Sequence, residues 1–267
     1  DTSDSVSVFP RPTAAFTSDT VCFGDTTSLV STSKTTPPLG GSINIYNWTL
    51  PVNVQQTGTS LKYVYPSHGQ AATKLVVTDV NGCKDSINQN VIIDTLPLAS
   101  FTSDTACFGN LTAFTDQSSG FGAAVNQWNW NLGNSSTSAL QNPSVTYGAA
   151  GAYSVSLTVT DSKGCTDDTT QTVKVDTLPL ASFTVADICL GDSASFTNTS
   201  TPGSNNLTTY KWNFGDGDSS SVSDPKHLYA NHGKYNIQLF ITDQNFCASD
   251  TSDSVSVFPR PTAAFTS

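Results

Sequence analysis

Alternating apolar and polar positions recur three times along the chain and predict β-strands. Three matching segments, LVVTDVNGC, LTVTDSKGC and LFITDQNFC, end at Cys83, Cys165 and Cys247. A period of two places one face of a strand in a core and leaves the other in water. Asn81-Gly82 and Lys163-Gly164 stand where a tight hairpin needs positive φ. The pattern predicts an antiparallel sandwich of seven strands in each of three units.

Tryptophan and cysteine spacing sets the length of these units. The cysteines fall into three successive pairs, with one tryptophan 35 residues before the second member of each pair: Trp48, Trp130 and Trp212. Neighbouring tryptophans of this set are 82 residues apart. A large aromatic residue at one fixed place in each unit is typical of the core between two packed sheets. We therefore expect these three tryptophans in the cores.

The two ends of the chain are identical over eighteen residues. Asp1 to Ser18 reappear as Asp250 to Ser267, at an offset of 249 residues. A window slightly wider than one period of a tandem array would show this identity, so we expect neither end to be a natural terminus. The expected division is a last strand of a preceding repeat at 1–9, domains at 10–95, 96–177 and 178–258, and a first strand of a following repeat at 259–267.

The segments that join the units are short and similar. VIIDTLPLASF and VKVDTLPLASF connect the three units, and VSVFPRPTAAF near the amino end keeps the same layout. A proline in each stiffens the crossing, and no flexible Gly/Ser tether is present. The sequence therefore predicts three sandwiches arranged as a rod.

Composition and charge restrict the function classes. The chain has 267 residues, no methionine, 12% charged residues and a net charge of −10. Nucleic-acid binding would need a basic stripe, so nucleic acid is not an expected partner. No apolar run approaches the length of a membrane span. The acidity is typical of a soluble surface that repels itself.

No catalytic residue is predicted. A Ser-His-Asp hydrolase is the first class to test, since His227 and His232 lie near Asp224, but no G-x-S-x-G motif occurs. Asp216 and Asp218 resemble part of a calcium loop that lacks its terminal Glu, and the chain contains no Glu at all. A hairpin turn explains that segment more simply, and calcium stays open as the single candidate cofactor. Zinc is disfavoured because no C-x-x-C pair occurs.

The segment WNFGDG at 212–217, followed by HLYANHGKYNIQLFITD, resembles a PKD (polycystic-kidney-disease) domain. The second unit keeps WNLG at 130–133, and the first departs further, with WTLP at 48–51. The resemblance implies three tandem immunoglobulin-like sandwiches, all-β, of the kind found in large secreted and gliding-associated surface proteins of Bacteroidetes. It also implies an adhesive or structural role without catalysis.

Each unit is expected to contain its own disulfide. Domains of this size bury limited apolar surface, so covalent cross-links are expected in an oxidising compartment. The expected pairs are Cys22–Cys83, Cys107–Cys165 and Cys189–Cys247. Closing a loop of about 59 residues stabilises a domain by about 4 kcal/mol in the chain-entropy model. The expected location is extracellular or at the cell surface.

Several threonines and serines are candidate glycan sites. Five triplets of Asp, Thr or Ser, and an apolar residue are similar to the O-glycan acceptor motif of Bacteroidetes; their acceptor positions are Thr20, Thr95, Thr105, Thr177 and Ser193. Because these residue types are common in the chain, composition alone also explains the triplets. Intact mass would separate the two explanations.

The sequence favours a non-catalytic structural segment of a long extracellular fibre or stalk. Its expected partners are further copies of the same repeat, end to end in one polypeptide. The alternative is an adhesin that binds surface glycans or proteins through sandwich loops. Sequence divergence between the first cysteine and the tryptophan of each unit, at 35–45 and 120–125, makes those loops the candidate binding surface.

Overall fold

The computed structural model describes residues 6–37 and 40–263, in which strands form nearly all of the regular structure. The first repeat contains β1 (Phe16–Ser18), β2 (Val21–Cys22), β3 (Thr26–Ser31), β4 (Ile43–Leu50), β5 (Val54–Thr57), β6 (Ser60–Val64), β7 (Gly69–Asp79) and β8 (Lys84–Asp94). A short 3-10 turn at Pro51–Asn53 separates β4 from β5.

The second and third repeats follow the same order. The second contains β9 (Phe101–Ser103), β10 (Ala106–Cys107), β11 (Leu111–Asp116), β12 (Val125–Asn131), β13 (Thr137–Ser138), β14 (Ser144–Thr146), β15 (Gly151–Asp161) and β16 (Thr166–Asp176). The third contains β17 (Phe183–Thr184), β18 (Ile188–Cys189), β19 (Ser193–Ser195), β20 (Thr197–Asn198), β21 (Leu207–Asn213), β22 (Ser219–Ser220), β23 (Lys226–Leu228), β24 (Gly233–Asp243) and β25 (Ala248–Phe258).

Each repeat has one five-stranded sheet facing a smaller sheet. The larger sheets have the orders β2-β8-β7-β4-β5, β10-β16-β15-β12-β13 and β18-β25-β24-β21-β22. The opposing strands form the sheets β1-β3-β6 and β14-β11-β9, and in the third repeat the two pairs β17-β20 and β19-β23. The predicted all-β, immunoglobulin-like sandwich class is confirmed.

The prediction of seven antiparallel strands needs a correction in the larger sheets. The chain leaves the small sheet after β1 and crosses to the large one, where β2 pairs in parallel with the end of β8. β10 pairs with β16 and β18 with β25 in the same parallel way. The first strand is therefore split into two short pieces that belong to opposite sheets. The second piece carries the first cysteine of each repeat.

The predicted tryptophans are buried at equivalent places in the three repeats. Trp48, Trp130 and Trp212 each donate a hydrogen bond from Nε1 to a backbone carbonyl ten residues further on, at 2.8, 2.9 and 2.9 Å. Each indole also meets the ring of a phenylalanine from the first strand edge-on, with centroids 5.0–5.1 Å apart. Apolar burial and a satisfied N–H together fix the indole in one orientation.

The hairpin turns that end the long strands β7, β15 and β24 need one residue with positive φ. Gly82 and Gly164 supply it in the first two repeats, at φ 81° and 87°. The exposed Phe246 takes the same position in the third repeat at φ 62°. A side chain with a Cβ is disfavoured there by roughly 1–2 kcal/mol.

Replacing Phe246 by glycine should therefore stabilise the third repeat. We expect Phe246→Gly to raise the free energy of unfolding by about 0.5–1 kcal/mol, since the greater freedom of glycine in the unfolded chain offsets part of the gain. Gly164→Ala is the reverse control and should cost about 1 kcal/mol, because a residue with a Cβ is disfavoured at this positive φ. No atom lies within 4 Å of the added Cβ, so no steric clash adds to that cost. Urea unfolding of the two variants measures both effects, and a destabilised Phe246→Gly would contradict the argument.

The duplicated ends adopt different environments. Val6 and Val8 are 87% and 80% exposed and lie outside any strand, whereas their sequence copies Val255 and Val257 in β25 are 0% and 3% exposed. Conversely, Ala14 is buried in the first repeat, and its copy Ala263 is exposed. The expected strand pieces at 1–5 and 264–267 lie outside the described residues. Among the described residues, the buried positions of the shared sequence thus differ between its two copies.

Tertiary contacts divide the chain into two compact units. The first comprises 1–100, 117–128 and 158–169, and the second comprises 101–116, 129–157 and 170–267. The division therefore passes through the second repeat. Each region where one repeat meets the next lies wholly inside one unit.

Candidate functional site

Both disulfides join neighbouring repeats, and the predicted pairings inside repeats are wrong. The bonds are Cys22–Cys165 and Cys107–Cys247, with Cα atoms 5.6 Å apart in each. The predicted bonds Cys22–Cys83, Cys107–Cys165 and Cys189–Cys247 are not formed, and Cys83 and Cys189 are free thiols.

The reason lies in the position of the two cysteines at opposite ends of a sandwich. Cys22 pairs with Asp94 at the end of β8, whereas Cys83 immediately precedes the start of that strand. An eleven-residue strand is roughly 35 Å long, and a disulfide cannot bridge Cα atoms more than about 7 Å apart. Cys22 and Cys107 instead bond to the turn at the near end of the next repeat.

We call the two regions that contain these bonds junctions. The first junction comprises residues 20–23 and 92–95 of the first repeat with 121 and 161–165 of the second. The second junction comprises residues 105–108 and 174–178 with 203–205 and 243–247 of the third repeat.

One half of each junction is the short parallel strand. Cys22 lies opposite Asp94, and Cys107 lies opposite Asp176. The strand is fixed beyond the cysteine, because the amides of Phe23 and Phe108 donate to the carbonyls of the same two aspartates at 2.8 Å. The cysteine is therefore held beside the last residue of the domain, where the linker begins.

The other half is a turn organised by a buried aspartate four residues before the second cysteine. In the third repeat, Asp243 Oδ1 accepts hydrogen bonds from the backbone amides of Asn245 and Cys247, both at 2.9 Å. The same pair of bonds, at 2.8–2.9 Å, surrounds Asp79 and Asp161. The carboxylate shapes the loop around the sulfur as an Asx-type turn.

A buried carboxylate at the end of the domain binds the incoming turn of the next repeat. At the first junction, Lys163 Nζ contacts Asp94 Oδ1 at 2.5 Å. At the second junction, Asp176 Oδ2 accepts from the side-chain amides of Asn205 and Asn245 at 2.8 and 2.6 Å. Polar partners from the neighbouring repeat therefore compensate a carboxylate that burial would otherwise destabilise.

The ionised form of Asp176 is favoured in the folded protein. Burial acts to raise the pKa of Asp176, but hydrogen bonds from Lys174, Asn245 and Asn205 outweigh it, so the pKa lies below its ordinary value. Lys174 Nζ lies 2.9 Å from Asp176 Oδ1. A lowered pKa means that the second junction is stabilised by ionised Asp176 at neutral pH.

The second junction should weaken in acid through Asp176. The stabilisation is fully present above the unfolded-state pKa of about 3.9 and is lost as pH falls through the lower folded value. We expect Asp176→Asn to cost about 1–2 kcal/mol at pH 7 and to reduce the further loss between pH 5 and pH 2. Urea unfolding across this range measures the difference. Exposed Asp168→Asn is the matched control, and parallel curves for wild type and Asp176→Asn would contradict the prediction.

Linker residues complete the two junctions and involve two of the glycan candidates. The Thr95 hydroxyl donates to the carbonyl of Phe121, and Thr177 bonds to the Ser204 hydroxyl at 3.0 Å. Gly203 approaches this linker so closely that a Cβ would lie 2.3 Å from the carbonyl oxygen of Thr177. The other candidates, Thr20, Thr105 and Ser193, are exposed. Glycosylation of all five stays a prediction.

The calcium candidates lie in a hairpin of the third repeat. Asp216, Asp218 and His227 bring ligand atoms within 4.8 Å of one another. Asp216 Oδ2 bonds to His227 Nε2 at 2.7 Å, and its Oδ1 accepts from the Asp218 amide at 3.1 Å. Burial acts to raise the pKa of Asp216, but these hydrogen bonds outweigh it and lower the pKa. The carboxylate thus already has a turn-stabilising role, and calcium binding stays a prediction.

The hydrolase candidates do not assemble. Asp224 Oδ1 accepts a hydrogen bond from the Asn198 amide at 2.9 Å, while His227 bonds to Asp216 and stacks on Phe214. Within residues 6–37 and 40–263, no helix is both long and apolar enough to span a membrane.

A family model for the PKD domain matches residues 94–177 and again residues 176–257. The two matches cover more than half of the chain. The chain belongs to the PKD domain family.

Relatives of these PKD repeats include segments of much longer proteins. The pre-pro-metalloprotease PrtV of Vibrio cholerae is 36% identical over 117 residues, which are 43% of this chain and 12% of that protein. The microbial collagenase of Vibrio alginolyticus is 48% identical over 56 residues, or 19% of this chain and 7% of the collagenase.

A solved structure shares the fold of the tandem PKD repeats. It contains the three N-terminal domains of the highly immunogenic outer capsid protein (Hoc) of bacteriophage RB49. The alignment covers 94% of this chain and 99% of that chain, with a TM-score of 0.51 and 13% identity.

Sequence reasoning missed the residues that connect the PKD repeats. Asp94 and Asp176 lie in the near-identical linkers, and Asn205 lies in a variable loop. The signal that could have found them is the repeated aspartate directly before the linker Thr-Leu-Pro, at the end of a strand that otherwise buries only apolar residues. A carboxylate at such a place requires a partner, and the next repeat provides it.

Proposed function

We propose that these PKD repeats form a structural segment of a long extracellular filament in which disulfides transmit tension from one repeat to the next. The observation that carries the proposal is the location of both bonds at junctions. Two covalent connections, the linker peptide and the disulfide, cross each junction. Disulfides persist in oxidising compartments, which supports an extracellular location.

The arrangement suits a role under tension. A bond within one repeat would leave only the linker to hold neighbouring repeats together. The observed bonds instead keep each junction closed, so pulling acts on an array of docked domains. The polar contacts of Asp94 with Lys163 and of Asp176 with Asn245 lie directly beside the disulfides and fix the relative register of the connected ends.

The duplicated ends support continuation into further copies of the same repeat in one polypeptide. The buried half of the shared sequence at 255–257 completes the third repeat, and the buried half at 14–16 begins the first. One uninterrupted copy would serve both repeats at once. The alternative of an adhesin is less favoured, because the variable loop at 120–125 provides the carbonyl that binds Thr95 at the first junction.

The proposed role is non-catalytic. The hydrolase candidates are used in turns and hydrogen bonds, as described above. The similarity to the metalloprotease covers 12% of that protein and provides no reason to transfer its activity to this chain.

Single-molecule pulling tests the mechanical role. With both disulfides intact, the shortest covalent path from Cys22 to Cys247 crosses both bonds and the 58 residues of chain between Cys107 and Cys165. The fully unfolded span should be about 200 Å, and after reduction the full 225 residues should extend to about 800 Å. Equal extensions before and after reduction would refute the proposal.

The filament itself is tested on native material. We expect electron microscopy to show a filament whose period corresponds to three repeats, and reducing denaturation to release a polypeptide much longer than 267 residues. A native polypeptide of about this length would contradict a tandem array.

A further inference from the structure

The two free cysteines have the same local structures as the bonded ones. Cys189 lies on the short strand β18, opposite Phe258, just as Cys22 lies opposite Asp94. The turn before Cys83 is organised by Asp79, whose Oδ1 accepts from the amides of Asn81 and Cys83 at 2.9 and 2.8 Å. Cys189 therefore has the geometry of a first junction half and Cys83 that of a second half.

The duplicated sequence brings these two halves to one residue. Phe258, which pairs with Cys189, is the copy of Phe9. Cys83 Sγ lies 3.9 Å from the carbonyl oxygen of Phe9. In a continuous array a single phenylalanine would occupy both positions, so Cys189 of one copy and Cys83 of the next would lie beside the same residue.

This position is the one that Asp94 and Asp176 occupy at the two observed junctions. At the second junction, Asp176 pairs with Cys107 on one side and binds Asn245, two residues before Cys247, on the other. At an observed junction, the residue at this position therefore lies where the two sulfurs of the disulfide meet. Both remaining thiols are accessible, since Cys83 is half-buried and Cys189 is exposed.

We propose that Cys189 forms a disulfide with Cys83 of the following copy of this sequence, so that the series of junction disulfides continues across copies. The inference rests on the proposed tandem array. Formation of the bond removes two protons and two electrons from the two thiols. The electrons pass by thiol–disulfide exchange to a disulfide-bearing oxidoreductase of the oxidising compartment, which is reduced to its dithiol.

The proposed junction between two copies differs from the two observed junctions in its polar contacts. Phe258 stands in place of the aspartate, and Arg260 instead fixes the linker to its own repeat. Arg260 Nε donates to the carbonyl of Leu190 at 2.6 Å, and its guanidinium contacts Asp192 at 2.6 Å. These contacts hold the start of the linker beside the strand that carries Cys189.

A chain of two consecutive periods, residues 1–249 followed by 1–267, tests the inference. This chain contains twelve cysteines. It is produced by export to an oxidising compartment, where disulfides form. Alkylation without reduction, followed by intact mass, should count two free thiols, because five disulfides form. Four free thiols, or a different partner for Cys189, would overturn the inference. The four bonds equivalent to Cys22–Cys165 and Cys107–Cys247, read from the same tryptic digest, report that both copies are folded.

Two matched variants identify the partner. Cys83→Ser in the first copy alone should leave one free thiol and retain the tryptic peptide 75–84 of the second copy, cross-linked to the peptide with Cys189. The same substitution in the second copy alone should leave three free thiols and abolish the cross-link. An unchanged cross-link in the second variant would also overturn the inference. Failure here would leave the pulling and chain-length results intact, so it is distinguishable from failure of the filament proposal.

Discussion

Substituting both cysteines of the second junction, Cys107→Ser with Cys247→Ser, is expected to lower the free energy of unfolding by about 5 kcal/mol in the chain-entropy model. The bond closes a sequence separation of 140 residues, which restricts the unfolded chain more than a bond within one repeat would, by somewhat less than about 1 kcal/mol. Both partners are replaced so that no single thiol is left to form a new bond. Guanidinium unfolding at neutral pH measures the change.

The free cysteines provide the matched control for that double substitution. Cys83→Ser with Cys189→Ser changes the same number and type of residues but removes no bond, so stability should stay within about 0.5 kcal/mol. We also expect the junction variant to separate the unfolding of the third repeat from that of the second. Equal stabilities of the two double variants would show that the disulfide does not stabilise the folded chain.

Truncation of a core tryptophan is the second large effect that we expect. Trp212→Ala should destabilise the third repeat by about 3–5 kcal/mol. The indole is fully buried against Phe183 and Phe196, and its removal leaves a cavity and an unpaired carbonyl at Val222. Trp212→Phe should cost less, because it restores most of the buried area but not the hydrogen bond.

Val222→Ala is the control for this experiment. The side chain of Val222 is exposed, and the substitution keeps the backbone carbonyl that accepts the indole N–H. Its expected cost is therefore below about 0.5 kcal/mol. Hydrogen exchange of β24 and β25 should report where the loss occurs, and unchanged protection in Trp212→Ala would be incompatible with a packed core at this residue.

The sandwich fold could be predicted because its signals are local and repeated. A period of two along the long strands and a tryptophan at a fixed distance before the second cysteine both depend on residues close in sequence. Tyr46 and Tyr210, two residues before Trp48 and Trp212, pack against the same cores, in agreement with that spacing. All of these signals, and the contacts that they predict, lie within a single repeat.

The disulfide pairing could not be predicted from spacing, because spacing along the chain does not indicate the end of the sandwich at which a residue lies. The decisive element is the crossing between β1 and β2, which carries Cys22 to the far end of β8. A two-residue strand has almost no sequence signature, and its parallel pairing is fixed by tertiary structure. The partners of Asp94 and Asp176 were missed for the same reason, since they belong to the next repeat.

The two disulfide loops overlap along the chain, and this has a consequence for proteolytic damage. One bond spans 22–165 and the other spans 107–247, so every peptide bond between Cys22 and Cys247 is bridged by at least one disulfide. A protease that cuts once anywhere in this stretch leaves two fragments that are still covalently attached. The chain therefore tolerates a single nick in any loop or linker of this stretch without breaking in two.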